Sequence, residues 1–336
     1  TFAVVSAEEA KVENMTQANK IQWLIDNKIV EGHKVNKDGE EADLDLDGNL
    51  TREQATKLLV YVIGKQDLAE TLKGALKIFK DVDLSRWSNG WINVAATHKS
   101  HVKGETIVKG YPDGTFGPER NVTYAELATM LVRIVDGENH TNDDIAFAGA
   151  NWATQYMRWA VELGILDGVK VTDSNAPASR RDAFEMIYNA KYRYKGTNNV
   201  SFGDQMGIIS KLAAGKVEIN QDSKKVYNIT YNTNFTDGTS ILSLGQNAIR
   251  PGSLVRLITD ADNNVLYMIE LGNPRVGAID GRWATVANET VSSMGANKAK
   301  FVGTDAIKFH NLDKVVNLMS NTKYFVADVD HNFLKE

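Results

Sequence analysis

The sequence predicts a multidomain α-plus-β chain, with three related helical repeats sharing one core and small all-β modules after them. Two observations predict it. One helical pattern occurs three times before residue 196, and after Lys195 the apolar spacing changes from the helical period to strand-like alternation. Composition agrees: 43% of the 336 residues are hydrophobic and 24% charged, which suits folded rather than disordered chain.

The chain opens Thr1-Phe2-Ala3-Val4-Val5-Ser6-Ala7, followed by Glu8-Glu9. Val5-Ser6-Ala7 fits a small-x-small cleavage site, so residues 1–7 read as the remnant of a secretory signal. The alternative is a short apolar start tucked against the first helix. There is no cysteine, which excludes a disulfide framework and thiolate metal sites. No apolar run reaches the roughly 18 residues of a membrane span. A net charge of -5, all of it in residues 1–196, argues against a general nucleic-acid binder.

The repeats are read from two blocks. Ile29-Val30-Glu31-Gly32 recurs as Ile107-Val108-Lys109-Gly110 and Ile165-Leu166-Asp167-Gly168, with Trp23, His101 and Trp159 six residues before each first Ile. Thr51-Arg52-Glu53-Gln54 aligns with Thr123-Tyr124-Ala125-Glu126 and Ser179-Arg180-Arg181-Asp182. Each Thr or Ser is placed as an N-cap, and Glu126 completes a capping box with Thr123. Behind each cap runs an i, i+3, i+4, i+7 stripe: Ala55, Leu58, Leu59, Val62; Leu127, Met130, Leu131, Ile134; Ala183, Met186, Ile187, Ala190. A two-helix unit of about 50 residues buries little surface alone, so three stacked units are expected to share a core.

Gly110-Tyr111-Pro112-Asp113-Gly114-Thr115-Phe116-Gly117-Pro118, followed by Val122-Thr123-Tyr124-Ala125-Glu126, resembles an S-layer homology (SLH) repeat. Phe79-Lys80-Asp81-Val82 with Trp87 resembles that family's opening, and Phe147 with Trp152 is a weaker version. The resemblance covers roughly residues 10–195. It implies repeats at 8–66, 67–137 and 138–196 in a pseudo-threefold triplet, a secreted bacterial surface protein of the S-layer, and a wall anchor. The implied partners are secondary cell-wall polysaccharide, often bearing a pyruvate ketal, and neighbouring copies in a surface lattice. The implied glycan contacts are Arg52 and Arg180, supplemented by Arg181, Tyr111, Asp113, Trp87 and Trp152. Repeat 2 has Tyr124 where the family has arginine, which leaves its groove without a guanidinium. A guanidinium can grip a planar carboxylate with two hydrogen bonds, and free amides at a helix N-terminus are expected to help. The other reading makes the arginines solvated first-turn residues. For the aromatics, apolar packing is their commoner role.

Asp43-Leu44-Asp45-Leu46-Asp47-Gly48-Asn49 matches the opening of an EF-hand loop, so Asp43, Asp45 and Asp47 are candidate calcium ligands. The twelfth position is Gln54 rather than a bidentate Glu, which favours an acidic turn instead; no other cofactor is expected. Beyond Lys195, residues 253–259 and 265–270 read as a hairpin around Asp260-Ala261-Asp262-Asn263-Asn264. Asp328, Asp330, Asn332 and Leu334 repeat that turn 68 residues on. Two β modules are therefore expected, at 197–272 and 273–336, the second cut short. No catalytic motif of weight is present, and His101 reads as core packing rather than as half of a His98/His101 pair. The expectation is a non-enzymatic anchor. The alternatives are the anchor of a larger surface hydrolase or of an outer-membrane protein tethered to the wall.

Overall fold

Four helices begin on a hydroxyl. Thr16, Thr51, Thr123 and Ser179 each accept the amide three residues on, at 3.1–3.4 Å. In the computed structural model these start α1 (Gln17–Asp26), α2 (Arg52–Val62), α5 (Tyr124–Val135) and α7 (Arg180–Arg193). Between them lie α3 (Gln66–Thr71), α4 (Asn89–Thr97) and α6 (Trp152–Glu162), and a short antiparallel ladder, β1 (Lys34–Val35) with β2 (Ala42–Asp43), separates α1 from α2 in the chain. The structure describes residues 15–31, 43–100, 102, 105–136, 140, 152–196, 202–239, 241–242, 249 and 251–271, with backbone alone at 34–35, 42, 272, 299–302, 306–309, 315–317, 326–327 and 333–335. Residues 1–7, His101 and Phe147 lie outside these. The chain divides into two units near residue 200, Leu76–Ile78 being grouped with the second.

The three predicted stripes are buried, from Ala55 to Val62, Leu127 to Ile134 and Ala183 to Ala190. Burying a leucine or isoleucine fully is worth about 1.5–3 kcal/mol, so these faces are the main source of cohesion. The packed pairs straddle the sequence repeats. Helix α2 packs on α4, α5 on α6, and α7 returns to α1. Tyr61 of α2 stacks on Trp91 of α4, with centroids 5.3 Å apart. Arg133 of α5 lies over the Tyr156 ring of α6. Trp23 of α1 meets Tyr188 of α7 edge-on. The first helix thus closes the set by pairing with the last. Gly90 allows the tight approach of α4 to α3, because a Cβ there would sit 1.9 Å from the Ala69 carbonyl oxygen.

Helix α4 ends at Thr97, and His98 is its C-cap. The core-packing reading of His101 falls outside the described residues.

Beyond residue 200, seven strands form one sheet: β3 (Gly203–Ala213), β4 (Lys216–Ile219), β5 (Val226–Asn228), β6 (Asn234–Thr236), β7 (Ile241–Leu242), β8 (Leu254–Thr259) and β9 (Val265–Gly272). The order is β5-β4-β3-β8-β9-β6-β7, antiparallel except for the parallel β6–β9 pair. The expected hairpin is β8–β9, and its turn is closed by Asp260, whose carboxylate accepts the amides of Asp262 and Asn264. Ile209, Val217, Ile219, Val255, Leu257, Val265 and Met268 form the core on this sheet. Short antiparallel ladders follow: β10 (Ala299–Val302), β11 (Ala306–Phe309) and β12 (Val315–Asn317), then β13 (Val326–Ala327) with β14 (Phe333–Lys335), where the second hairpin was expected.

The α1–α7 contact holds a buried ion pair, Lys20 Nζ to Glu185 Oε1 at 2.7 Å, with Gln17 donating to the other carboxylate oxygen. Removing one partner of such a pair costs on the order of 3–5 kcal/mol, whereas replacing both by apolar groups is often neutral. Lys20→Met is expected to lower the urea midpoint of the helical unit strongly. Lys20→Met with Glu185→Leu is expected to recover most of that loss, read by circular dichroism.

Candidate functional site

The residues just before three of the caps form a closed ring of backbone hydrogen bonds. Leu50 N–H donates to the Ala178 carbonyl (3.2 Å), Ala178 N–H to Val122 (2.9 Å), and Val122 N–H back to Leu50 (2.9 Å). The first two amides of each helix continue the pattern. Arg52 and Glu53 donate to Arg120 and Pro118, Tyr124 and Ala125 to Ala176 and Ser174, and Arg180 and Arg181 to Gly48 and Leu46. Helix starts carry orphan amides that need partners. Here the neighbouring loop fills the first two and the cap hydroxyl the third. The expectation of free amides for an anion at these N-termini is therefore corrected.

A side-chain layer repeats the same circuit. The first residue of each helix reaches the third residue of the next. Arg52 Nη1 donates to Glu126 Oε1 (2.9 Å), the Tyr124 hydroxyl to Asp182 Oδ2 (2.5 Å), and Arg180 Nη1 to Gln54 Oε1 (3.2 Å). Gln54 and Glu126 also accept the amides of Thr51 and Thr123, completing capping boxes. Asp182 is a methylene shorter, and the Ser179 amide donates to the Tyr124 hydroxyl oxygen instead (3.4 Å). Sequence reasoning read Tyr124 only as a groove without a guanidinium and missed the partners Glu126, Asp182 and Gln54. Their signal was their common place three residues after each cap.

The two arginines differ in what remains open to a ligand. Arg52 is 3% exposed, and all three of its nitrogens donate within the protein, Nε to Phe116 O and Nη2 to Lys109 O besides the Glu126 pair. Its guanidinium lies 4.9 Å from the Tyr111 ring centroid and 4.8 Å from that of Phe116. Neither a solvated first-turn residue nor an open ligand contact describes it. Arg180 donates from Nε to Leu44 O (2.7 Å) and from Nη1 to Gln54, and its Nη2 has no partner among the described residues. Burial holds this guanidinium below its ordinary pKa, opposed by the charges of Asp45 and Asp43.

Arg180 lines a cavity of about 230 Å³ together with Gln54, Lys57, Glu31, Trp87 and Phe184. Trp87 is 44% exposed, so part of its indole is open to a ligand. The Lys57 ammonium sits over the Tyr61 and Trp91 rings and 3.8 Å from the Glu31 carboxylate. The cavity therefore offers two cations, an indole and one weakly held carboxylate.

The remaining candidates are placed as follows. Tyr111 is half-buried between the guanidinium groups of Arg52 and Arg120 and donates to Glu126. Asp113 accepts the amide and hydroxyl of Thr115, which hold its carboxyl below the usual range, and Gly114 beside it turns the chain with φ of +82°. Asp81 grips the same loop by accepting the amides of Phe116 and Gly117. Arg181 pairs with Asp47 at the surface (2.9 Å). Trp152 begins α6 and is exposed.

At the calcium candidates Asp43, Asp45 and Asp47 the described residues form a turn. Among the described residues no three acidic or histidine side chains are placed to hold a metal. Asp43 accepts the Asp45 amide, just as Asp113 accepts Thr115 and Asp173 accepts Asn175. The D-x-D spacing here builds an Asx turn, and Asp47 turns out toward Arg181. Among the described residues, no helix is long and apolar enough to cross a membrane.

Comparison with known proteins bears on this ring of helix starts. Residues 102–128 match the S-layer homology domain. This SLH segment runs from the end of the insertion after α4 through the loop of Tyr111 and Asp113 into the first turns of α5. The chain is 33% identical over 158 residues to the middle cell wall protein of Brevibacillus brevis, which is 47% of this chain and 13% of that protein. It is 30% identical over 166 residues to the surface layer protein of Brevibacillus choshinensis, again 13% of the relative's length. A cellulosome-anchoring protein of Acetivibrio thermocellus is 27% identical over 128 residues, covering 27% of its length. The chain thus resembles S-layer proteins that carry an SLH domain, and it spans a small part of the relatives it matches.

Tyr124 gives a test of the circuit. Its hydroxyl serves a carboxylate and an amide at once, and a hydrogen bond to a charged group is worth about 1.5–3 kcal/mol. Tyr124→Phe is expected to destabilise the helical unit by about that much in urea denaturation. Burial first, and then Asp182, raise the Tyr124 pKa above 10. Its contribution is therefore full below pH 10 and is lost as pH rises through the folded value. The stability difference between parent and Tyr124→Phe is expected to shrink above that pH.

Proposed function

We propose that residues 8–196 form an SLH triplet that anchors the protein non-covalently to secondary cell-wall polysaccharide, and that the chain is a structural surface protein rather than an enzyme. The observation that carries this reading is the Arg180 cavity. It places a guanidinium nitrogen that has no partner among the described residues, an ammonium and a partly exposed indole at the junction of two helix starts. Planar carboxylates suit a guanidinium, and sugar rings stack on indole, so an acid-bearing saccharide such as a pyruvate ketal fits the chemistry. The match at residues 102–128 and the names of the relatives, which are wall, surface-layer and anchoring proteins, support a secreted, cell-wall-associated location.

Within this reading Arg180 contacts the glycan, with Trp87 and Lys57 beside it. Arg52 holds two helix starts together instead, because its three nitrogens are engaged internally. The sheet beyond residue 200 serves the surface layer and not the wall contact.

The test is cosedimentation of the full chain with purified walls before and after extraction of the secondary polysaccharide. Binding that survives extraction unchanged defeats the proposal. Arg180→Ala, with folding checked by circular dichroism, is expected to weaken binding by about ten- to hundredfold, the equivalent of losing about 1.5–3 kcal/mol. Removing the ketal from the glycan is expected to act in the same direction.

A further inference from the structure

We infer that copies of this chain join head to tail, with Tyr231 of one copy seated in the groove beside α6 of another. This rests on the surface-layer role given above to the sheet, and it names the contact through which the sheet would serve that role.

Among the described residues the two most exposed large apolar side chains are Tyr231, at 83%, and Val161, at 63%. Neither belongs to the ring of helix starts or to the Arg180 cavity. Apolar surface left in water gains free energy when a partner covers it. One of the two stands on a protruding loop and the other lines a groove, so each supplies the shape that the other lacks.

The protruding loop joins β5 to β6, and both of its feet are tied to the β8–β9 turn. Asn228 N–H donates to the Asn263 carbonyl (2.8 Å), and the Thr233 hydroxyl donates to the Val265 carbonyl (2.7 Å). Ile229 N–H donates to the Gly215 carbonyl, and Thr230 N–H to the Thr233 hydroxyl oxygen. A tyrosine presented on so tied a loop loses little freedom on docking, and it brings a large contact area on few rotatable bonds.

The groove has a volume of about 480 Å³ and lies between α6 and the segment after it. Met157, Val161, Leu166, Val169 and Val171 make it apolar. Its far wall is fixed from behind. The Asn189 amide donates to the Ile165 and Asp167 carbonyls, and Arg193 pairs with the Asp167 carboxylate at 2.6 Å. Arg158 and Asp167 complete the lining. This set suits a phenol. Aliphatic groups and a thioether meet the ring, an exposed guanidinium can cover its face, and the half-exposed carboxylate can accept its hydroxyl.

Charge has the same sense. Lys170 stands between two lining valines, and Asp262 stands in the turn that ties the loop. Both are exposed, and neither side chain has a partner among the described residues. Loop and groove are different surfaces, so the contact is heterologous. One aromatic side chain buries only about 150–250 Å², which makes the contact weak in dilute solution and effective where copies are crowded.

The chain has no cysteine, so introduced thiols report the contact directly. Asn232→Cys marks the loop and Thr172→Cys the groove, both at exposed positions. The two single-cysteine full chains are mixed in equal amounts and treated with a short bismaleimide, in solution over a concentration series and on purified walls. A loop-to-groove link between chains, identified by peptide mass spectrometry, is expected to increase with concentration. Adding Tyr231→Ser to the first chain, or Val161→Lys to the second, is expected to cut its yield at least about tenfold with the melting temperature unchanged. The inference is overturned if no such link forms in solution or on walls, or if the link survives Tyr231→Ser undiminished. It is also overturned if a chain carrying both cysteines links only to itself at every dilution, which would put Tyr231 in its own groove. Wall cosedimentation of the same proteins is read separately. Wall binding without the link overturns this inference alone, and the link without wall binding overturns the anchoring reading alone.

Discussion

The helical unit depends on one constraint: three helix starts meet at a point, and their orphan amides must find partners there. The ring of Leu50, Ala178 and Val122 satisfies the residues before the caps, and each neighbouring loop satisfies the next two amides. Left unpaired in a buried centre, such groups would cost about 1–3 kcal/mol each. Meeting in a closed circuit removes that cost only when all three starts are present. This ties α2, α5 and α7 together before any side chain is considered. The circuit brings α7 back beside α2, while α1 joins α7 separately through the Lys20–Glu185 contact.

The side-chain layer above the ring tolerates different chemistry provided each donor meets an acceptor. Arg52 with Glu126 is an ion pair, Tyr124 with Asp182 a hydroxyl–carboxylate bond, and Arg180 with Gln54 a charged donor on a neutral acceptor. The tyrosine is a coupled exchange. Asp182 is too short to close its own capping box, and the hydroxyl of Tyr124 takes the Ser179 amide in its place. A position that looks like the loss of a ligand contact in the linear sequence is a completed junction in three dimensions.

Much of this was legible in the sequence. Caps at Thr51, Thr123 and Ser179 and the stripes behind them follow from local rules, because a hydroxyl before an amphipathic run has few other uses. The β8–β9 hairpin was legible from Asp260 to Asn264 for the same reason. What escaped were relations between distant residues. Nothing local says that Arg52 will be buried against Phe116 and Lys109, that Arg180 will face a cavity, or that β6 will lie parallel to β9. In the acidic loop the spacing of a calcium loop and that of an Asx turn coincide. Asp43, Asp113 and Asp173 all accept the amide two residues on, and only the first stands in a run that imitates a metal site.

The same division accounts for how unevenly the repeats resemble a known family. The central ring is made of main-chain groups, so it asks of a sequence only that the chain pass through with the right φ and ψ. Side chains at the equivalent positions Leu50, Val122 and Ala178 are all apolar but need not match. Loop lengths differ too, because only the last few residues before each cap supply carbonyls. The gap from glycine to cap is 19, 13 and 11 residues in the three copies. Residues 102–128 retain the loop gripped by Asp81 and the capping box of Thr123 and Glu126 in one continuous stretch, and that is the stretch the SLH family match covers. Leu50 and Ala178, outside that stretch, take part in the same circuit. A geometry held by the backbone can outlast the side-chain pattern by which a sequence comparison recognises it.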